Sequence, residues 1–507
     1  MADIRYPMAD NRVRARIRIR VLATALLTVA ASFTLSTVSA RQMPVAPVYA
    51  ITGAKIVTGT STIDKGTIVM RNGIIEGVGA NIAVPADAVV VDASNLTAYP
   101  GLIDMTNTTA VETPRGASAG TEAAAAEAPA QGGRGGRGGA PAGPQTWADA
   151  DRARREALLN PGFDAASHVR YEGVEMQRLA AGGITSVLAV PSSGLLRGES
   201  ALINVAAPPD QDDISRVAGY RRGAVVVASP VAQHITFAVG RGGGPGYPES
   251  LLGDIAFVRQ ALYDAKWQKE ARAWADKHTD QPRPDFDPAL DALAPALDRK
   301  IAVSFEAGEL REILRALAMA KEFNLDPIVT GGIEADQAVA DLKSANAKVI
   351  LTLASGTPQG AGRGGAPSPG PGQGRGGDTP IRVTHMQQNA PRVPAALEKA
   401  GIPYAFSSEG LQTPDEFVRG VARAVRDGGL TADEALRALT VDAARIAGAS
   451  DRVGTLAKGK IANVILVDGE LFSDQPRIRR VFVDGRPVNI DVPAAQPAGG
   501  RRGAGNH

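Results

Sequence analysis

The chain has no cysteine, only five histidines among 507 residues, and few aromatic side chains, 4% of the total. Without cysteine there is no disulfide scaffold, no thiol nucleophile and no thiolate zinc site. The histidines, His168, His234, His278, His385 and His507, stand far apart. None forms His-x-His, and none lies at the i, i+4 spacing by which a helix offers two imidazoles to one metal ion. His168 and His278 read as structural or surface residues, whereas His234 and His385 border loops near strands and are the two that would line a pocket. No GxGxxG follows a first strand, so the dinucleotide fingerprint is missing. One-sided charge is missing too: the formal net charge is +2, and six arginines crowd the first forty residues. The remainder is nearly neutral, which offers no field to draw nucleic acid. What is present is a 44% hydrophobic fraction, enough to bury a sizeable core, with Ala and Gly in place of large rings.

The arginines at 12, 14, 16, 18 and 20 form a basic segment, Val21 to Leu35 an apolar one, and Val38-Ser39-Ala40 supplies small residues for cleavage. Residues 1–40 therefore read as a signal peptide, and the protein as periplasmic or secreted. The apolar run is shorter than the ~18–20 residues that span a bilayer, so no stable membrane insertion is expected.

Short strands with turn signals follow. Ala54–Val57, Thr67–Met70 and Ile74-Ile75 surround Asn72-Gly73, and near the other end Ala462–Val467 and Val481–Val483 precede Asp484-Gly485. Both dipeptides favour two-residue hairpin turns. The segments 41–98 and 447–493 are expected to pair into a small composite β-sandwich. Between them, residues 99–446 alternate strands with helices. Candidate strands are Ala98–Ile103, Thr185–Val190, Ala201–Val205, Ala224–Ala228, Ile301–Phe305, Pro327–Thr330, Lys348–Leu353 and Tyr404–Phe406. Glu309 to Phe323 places Leu310, Ile313, Leu314 and Leu317 on one helical face, and Asp336 to Ala345 is a second helix. Thr431-Ala-Asp-Glu434 is a capping box opening a helix to about Ile446. This alternation predicts an α/β protein built on a (β/α)8 TIM barrel, with a doubly wound open sheet as the competing architecture. Low-complexity inserts at 123–144, 240–248 and 356–377, and a disordered tail at 494–507, cannot pack a core and read as solvated linkers.

The run Pro100-Gly-Leu-Ile-Asp104 resembles the end of the first barrel strand in the amidohydrolase superfamily, the imidazolonepropionase-like metal-dependent hydrolases. Ala181-Gly-Gly-Ile-Thr-Ser-Val187, Leu439–Ile446, Asp451–Leu456 and Lys458-Gly-Lys460 resemble the family's second-strand approach and closing signature. The resemblance implies a barrel with a composite sandwich. It also implies hydrolysis of non-peptide C–N bonds by water activated on zinc or another divalent metal. Its ligands would be imidazoles on the first, fifth and sixth strands and an aspartate after the eighth. Here the first pair reads Thr106 and Thr108, the fifth position Glu306, the sixth Gly331, and Glu409 stands where the aspartate would be. The metal-binding histidines are missing, and no metal or cofactor is expected at the standard site.

Glu306, Glu334 and Glu409 are the carboxylates that could converge at the mouth, as oxygen ligands or as a metal-free acid–base set. Glu334 also opens a helix, where its charge suits the dipole. The expected protein is thus an exported family member, catalytically degenerate, kept as a binding or partner module. It would take a small-molecule ligand, or assemble as a homo- or hetero-oligomer with an intact amidohydrolase. The alternative is an active amidohydrolase with a non-standard carboxylate-based or metal-free site.

Overall fold

Asn72-Gly73 and Asp484-Gly485 hold φ of 52°, 79°, 51° and 68°. These are the positive values that two-residue hairpins demand and that Asn, Asp and Gly tolerate best. The turns meet: Ala462 N–H donates to the Gly73 carbonyl, and Gly485 N–H to that of Ala462. In the computed structural model, residues 47–112, 146–170, 173–205, 220–221, 224–237, 247–248, 250–353, 381–411, 413–473 and 476–491 are described. The signal-like segment, the first and third inserts and the tail lie outside them, as does all of the second insert except Tyr247 and Pro248.

Both chain ends contribute to one eight-stranded sheet. Its order is Arg486–Val488, Arg477–Val483, Val464–Asp468, Thr97–Pro100, Val48–Val57, Thr62–Arg71 and Ile74–Gly79, with Ala88–Asp92 also beside Val48–Val57. The ends join where Thr97–Pro100 runs antiparallel to Val464–Asp468, with Tyr99 opposite Ile465.

The strand expected over Ala98–Ile103 is two strands. Thr97–Pro100 belongs to the terminal sheet, and Leu102–Asn107 begins the middle region. Gly101 separates them: a Cβ there would lie 2.1 Å from Thr185 Oγ1, so only glycine lets the neighbouring strand approach. Leu102–Asn107 runs parallel to Ile184–Ala189. Ala232–Ile235, Ala302–Ala307, Pro327–Gly331, Lys348–Thr352 and Tyr404–Ser407 form a second parallel run, edged by antiparallel Leu196–Glu199.

Two expected parallel strands differ. Ala201–Asn204 lies antiparallel to Ile184–Ala189, and Ala224–Ala228 antiparallel to Ala201–Asn204. A parallel crossover needs roughly a dozen residues or more, usually as a helix. The stretch after Ala189 instead holds the strand Leu196–Glu199 and no helix. The parallel place is taken by Ala232–Ile235, whose four residues include Gln233 and His234 and so carry little apolar signal.

Alternation along the parallel strands separates two buried layers. Val303, Phe305, Val329, Val349, Leu351, Tyr404 and Phe406 pack with helix residues such as Ile313 and Phe417. Their neighbours Ile328, Ile350 and Ala405 point the other way and cluster with Ile103, Met105 and Ala232. The helix Leu310–Glu322 buries Ile313, Ala316, Leu317 and Ala320, whereas Leu314, expected on that face, is 39% exposed. Thr431 and Glu434 form the expected capping box. The helix it opens breaks at Thr440 (φ −133°, ψ −78°), giving Ala432–Leu439 and Val441–Ile446. Among the described residues no helix is long and apolar enough to cross a membrane.

Candidate functional site

The layer that carries Ala232, Ile328, Ile350 and Ala405 turns polar toward the C-terminal strand ends. Period-two alternation puts His234, Ser304, Glu306, Thr330, Thr352 and Ser407 on this same face. Register pairs His234 with Ser304, Glu306 with Thr330, and Thr352 with Ser407. The Ser304 and Thr330 hydroxyls share a 2.8 Å hydrogen bond. An apolar floor with a polar rim at the strand ends is the usual make-up of a small-molecule site.

Glu306 is the candidate that reaches this face with a charge, and that charge is matched. Arg197 Nη1 donates to Glu306 Oε1, with 12% and 23% of the two side chains exposed. Arg197 reaches it through a β-bulge. His234 faces Gly198 and Ile235 faces Leu196, so two residues of one strand are crossed in one step of the other, and Arg197 is the extra residue. Bulges turn a side chain away from the regular pleat, and they recur beside functional sites. Beside Arg197 a small cleft opens among Asn160, Phe163, Ser192 and Ser193.

His234 is 4% exposed and lies on a strand, not at a loop border as its sequence context suggests. Burial, and next the Arg197 charge, push its imidazole down to about 3, so the ring is neutral at any ordinary pH. Its Nε2 is buried and has no hydrogen-bond partner among the described residues, and the same is true of Thr352 Oγ1. His385, the other pocket candidate, sits exposed on the helix Ile381–Asn389.

The remaining candidates are placed apart. Thr106 is buried, and its hydroxyl donates to the adjacent Met105 carbonyl at 2.6 Å. Thr108 lies just past the strand end, half-buried. Glu334 is buried and serves as a cap: its Oε2 accepts from Leu310 N–H at 2.8 Å, at the start of the helix Leu310–Glu322. Glu409 is half-buried in the turn after Tyr404–Ser407, its N–H donating to Ser407 Oγ at 3.0 Å. The three carboxylates thus do not form one cluster. Among the described residues no three His, Asp or Glu side chains assemble into a metal-holding group.

The divalent metal implied by the resemblance does not fit these donors. Thr106 spends its hydroxyl proton on backbone, and Glu306 is engaged by a guanidinium. Gly331 offers no side chain and holds φ of 113°, where any other residue would be strained.

Asp104 and Ser408 were not among the carboxylates and hydroxyls singled out from sequence, yet they form a close polar contact in this region. Fully buried Asp104 accepts from Ser408 Oγ at 2.6 Å, Ser408 N–H at 2.9 Å and Thr106 N–H at 3.2 Å. Burial pushes its carboxyl up to about 6, although these donors act in the opposite direction. The contact bridges the first and last parallel strands, which run side by side. The sequence signal for Asp104 was its place in the Pro100–Asp104 motif. For Arg197 the only signal is one arginine after Leu195-Leu196.

Residues 337–491 match the amidohydrolase family profile. The structure is similar to that of an amidohydrolase from Thermotoga maritima MSB8, at 21% identity and a TM-score of 0.64, covering 87% of this chain and 99% of that one. It is also similar to a prolidase solved with N-methylphosphonate-L-proline, at 16% identity and a TM-score of 0.50, covering 87% and 99%. At such identities the structural likeness speaks for the fold alone. No curated protein matches the sequence.

Proposed function

We propose that this chain is an exported member of the amidohydrolase superfamily, a reading supported by the match over residues 337–491 and by the shared fold, and that its strand-end mouth binds a small molecule or a partner and no longer hydrolyses through a metal. The observation that carries this reading is the Arg197–Glu306 ion pair, which takes up the one candidate carboxylate on the inner face. The architecture consistent with it is a closed (β/α)8 barrel. Two features support closure: Leu102–Asn107 lies beside Tyr404–Ser407, and an inner residue layer is distinct from the helix-facing one. Binding in place of turnover suits a mouth with an apolar floor, hydroxyl rim and unpaired buried His234 and Thr352 atoms. A homo-oligomer, or a complex with an intact amidohydrolase, is the partner arrangement proposed.

A second reading rests on Asp104. A carboxyl pushed up to about 6 and bonded to the half-buried Ser408 hydroxyl is a poised acid–base group, so metal-free hydrolysis would be centred there. The test is turnover of a panel of amides, lactams and dipeptides by the purified mature protein, with co-purification of an intact amidohydrolase measured in parallel. No turnover, together with a captured relative, supports the binding role. Turnover that persists in chelator and is lost in Asp104→Asn overturns it in favour of the second reading.

A further inference from the structure

The helix Leu251–Ala275 is apolar on two opposite faces. One packs inward through Phe257, Val258, Ala261, Leu262 and Ala265. The other carries Leu252, Tyr263, Trp267 and Trp274, which are 77%, 48%, 61% and 51% exposed. At about 100° per residue, these four fall within about 60° of one another and are centred opposite the buried face. A helix apolar on both sides is expected to be covered on both, and Trp, Tyr and Arg are the residues that interfaces favour. Arg259 and Glu270 complete the stripe. Glu322 accepts only from Arg259 Nε, at 3.0 Å, so neither Nη group makes a hydrogen bond among the described residues. Glu270 is exposed, and among the described residues it makes no ion pair. About 16 Å of helix separates the two, so they cannot meet within one chain.

The spacing of this stripe reads the same from both ends. From Leu252 through Ala256, Arg259, Tyr263, Trp267 and Glu270 to Trp274, the steps are 4, 3, 4, 4, 3 and 4 residues. A second copy laid antiparallel about Tyr263 therefore sets Leu252 beside Trp274 of that copy, Arg259 beside its Trp267, and the two Tyr263 rings together. A guanidinium over an indole is a favourable contact. Glu270 of the second copy then lies about 4.5 Å along the axis from Arg259, within reach of the free Nη groups. A parallel copy would instead set Arg259 against Arg259 and Glu270 against Glu270. We propose that this stripe is a homodimer interface, in which Leu251–Ala275 pairs antiparallel with the same helix of a second copy. One patch then meets itself across a two-fold axis, as closed dimers require. This inference rests on the homo-oligomer part of the reading above and not on the chemistry of the mouth.

Sedimentation velocity and thiol cross-linking of the purified protein test this. At micromolar concentration wild type is expected to run as a dimer, and Trp267→Ala to weaken it at least about tenfold. Because the chain has no cysteine, an introduced thiol reports its own neighbour. On mild oxidation Tyr263→Cys should give a covalent dimer, as should a mixture of Ala256→Cys and Glu270→Cys, whereas Leu252→Cys alone should not. The mixed pair decides if Tyr263→Cys does not fold. A monomeric wild type, a dimer that Trp267→Ala leaves intact, or Leu252→Cys dimers in place of the other two overturns the proposal. So does a monomer that binds phosphatidylglycerol vesicles through Trp267, which would make a lipid surface the occupant. The two readings fail separately. A monomer leaves the mouth as described, whereas zinc-dependent turnover by an intact dimer removes the reading of the mouth alone.

Discussion

Solvent screens the Arg197–Glu306 pair little, because only 12% and 23% of the two side chains are exposed. Each charge therefore depends on the other. Glu306→Gln leaves a guanidinium without its counter-charge and is expected to cost about 3 kcal/mol, within the range for breaking a buried pair. Arg197→Met/Glu306→Gln removes both charges and should recover most of that loss. Urea unfolding of the single and double variants checks this, and a Glu306→Gln protein as stable as wild type would contradict the pairing. Asp104 supplies a second prediction. Its carboxyl titrates near 6 in the fold against 3.8 in the unfolded chain, so the folded state binds its proton more tightly. The stability contributed by this proton is fully present below 3.8 and is lost as pH rises through 6. Asp104→Asn removes the group, so its stability relative to wild type should rise between pH 4 and pH 7, by about 3 kcal/mol. A difference that does not change with pH would refute the burial-driven shift.

Among the elements, the helix Leu310–Glu322 has three carboxylates at its start. Glu309 and Glu312 form a local capping box, and Glu334 reaches in from 24 residues away to bond the Leu310 N–H. Glu334→Ala should destabilise by about 1 kcal/mol without altering any ligand affinity, as measured by thermal unfolding and titration. The contrast shows what local sequence carries. Thr431 with Glu434, Asn72-Gly73 and Asp484-Gly485 could be recognised because the groups that satisfy one another lie within a few residues. Leu314 could not be assigned to the exposed side, because the helix's buried face is set by strands it meets only in three dimensions. The Arg197 bulge was hidden for the same reason: it exists only in the register between Leu196–Glu199 and Ala232–Ile235. His234 sits in a strand too short and too polar to show a period, and so its burial went unread.

For the molecule as a whole, a sheet built from both chain ends makes the last strands essential to the first. Phe482 is fully buried, and its ring meets Tyr49 edge-on at 5.7 Å, across a sequence separation of more than four hundred residues. Phe482→Ala should cost about 3–5 kcal/mol in urea unfolding, and a loss below about 1 kcal/mol would show the ends to be loosely joined. A buried polar network ties the same region to the middle strands. Asn204 Nδ2 donates to Asp484 Oδ1 at 2.7 Å, and Asn463 Nδ2 to Asn204 Oδ1 at 2.9 Å. The family resemblance was readable at this scale because it rests on motifs spread along the chain. The chemistry of the mouth was readable only as the absence of histidines at Thr106 and Thr108, and not as the presence of Arg197. The most direct test is the metal content of wild-type protein purified, incubated with zinc and dialysed. Zinc far below one per chain, with no turnover that depends on it, is expected. A stoichiometric, tightly held metal that is required for hydrolysis of a C–N bond would contradict this reading.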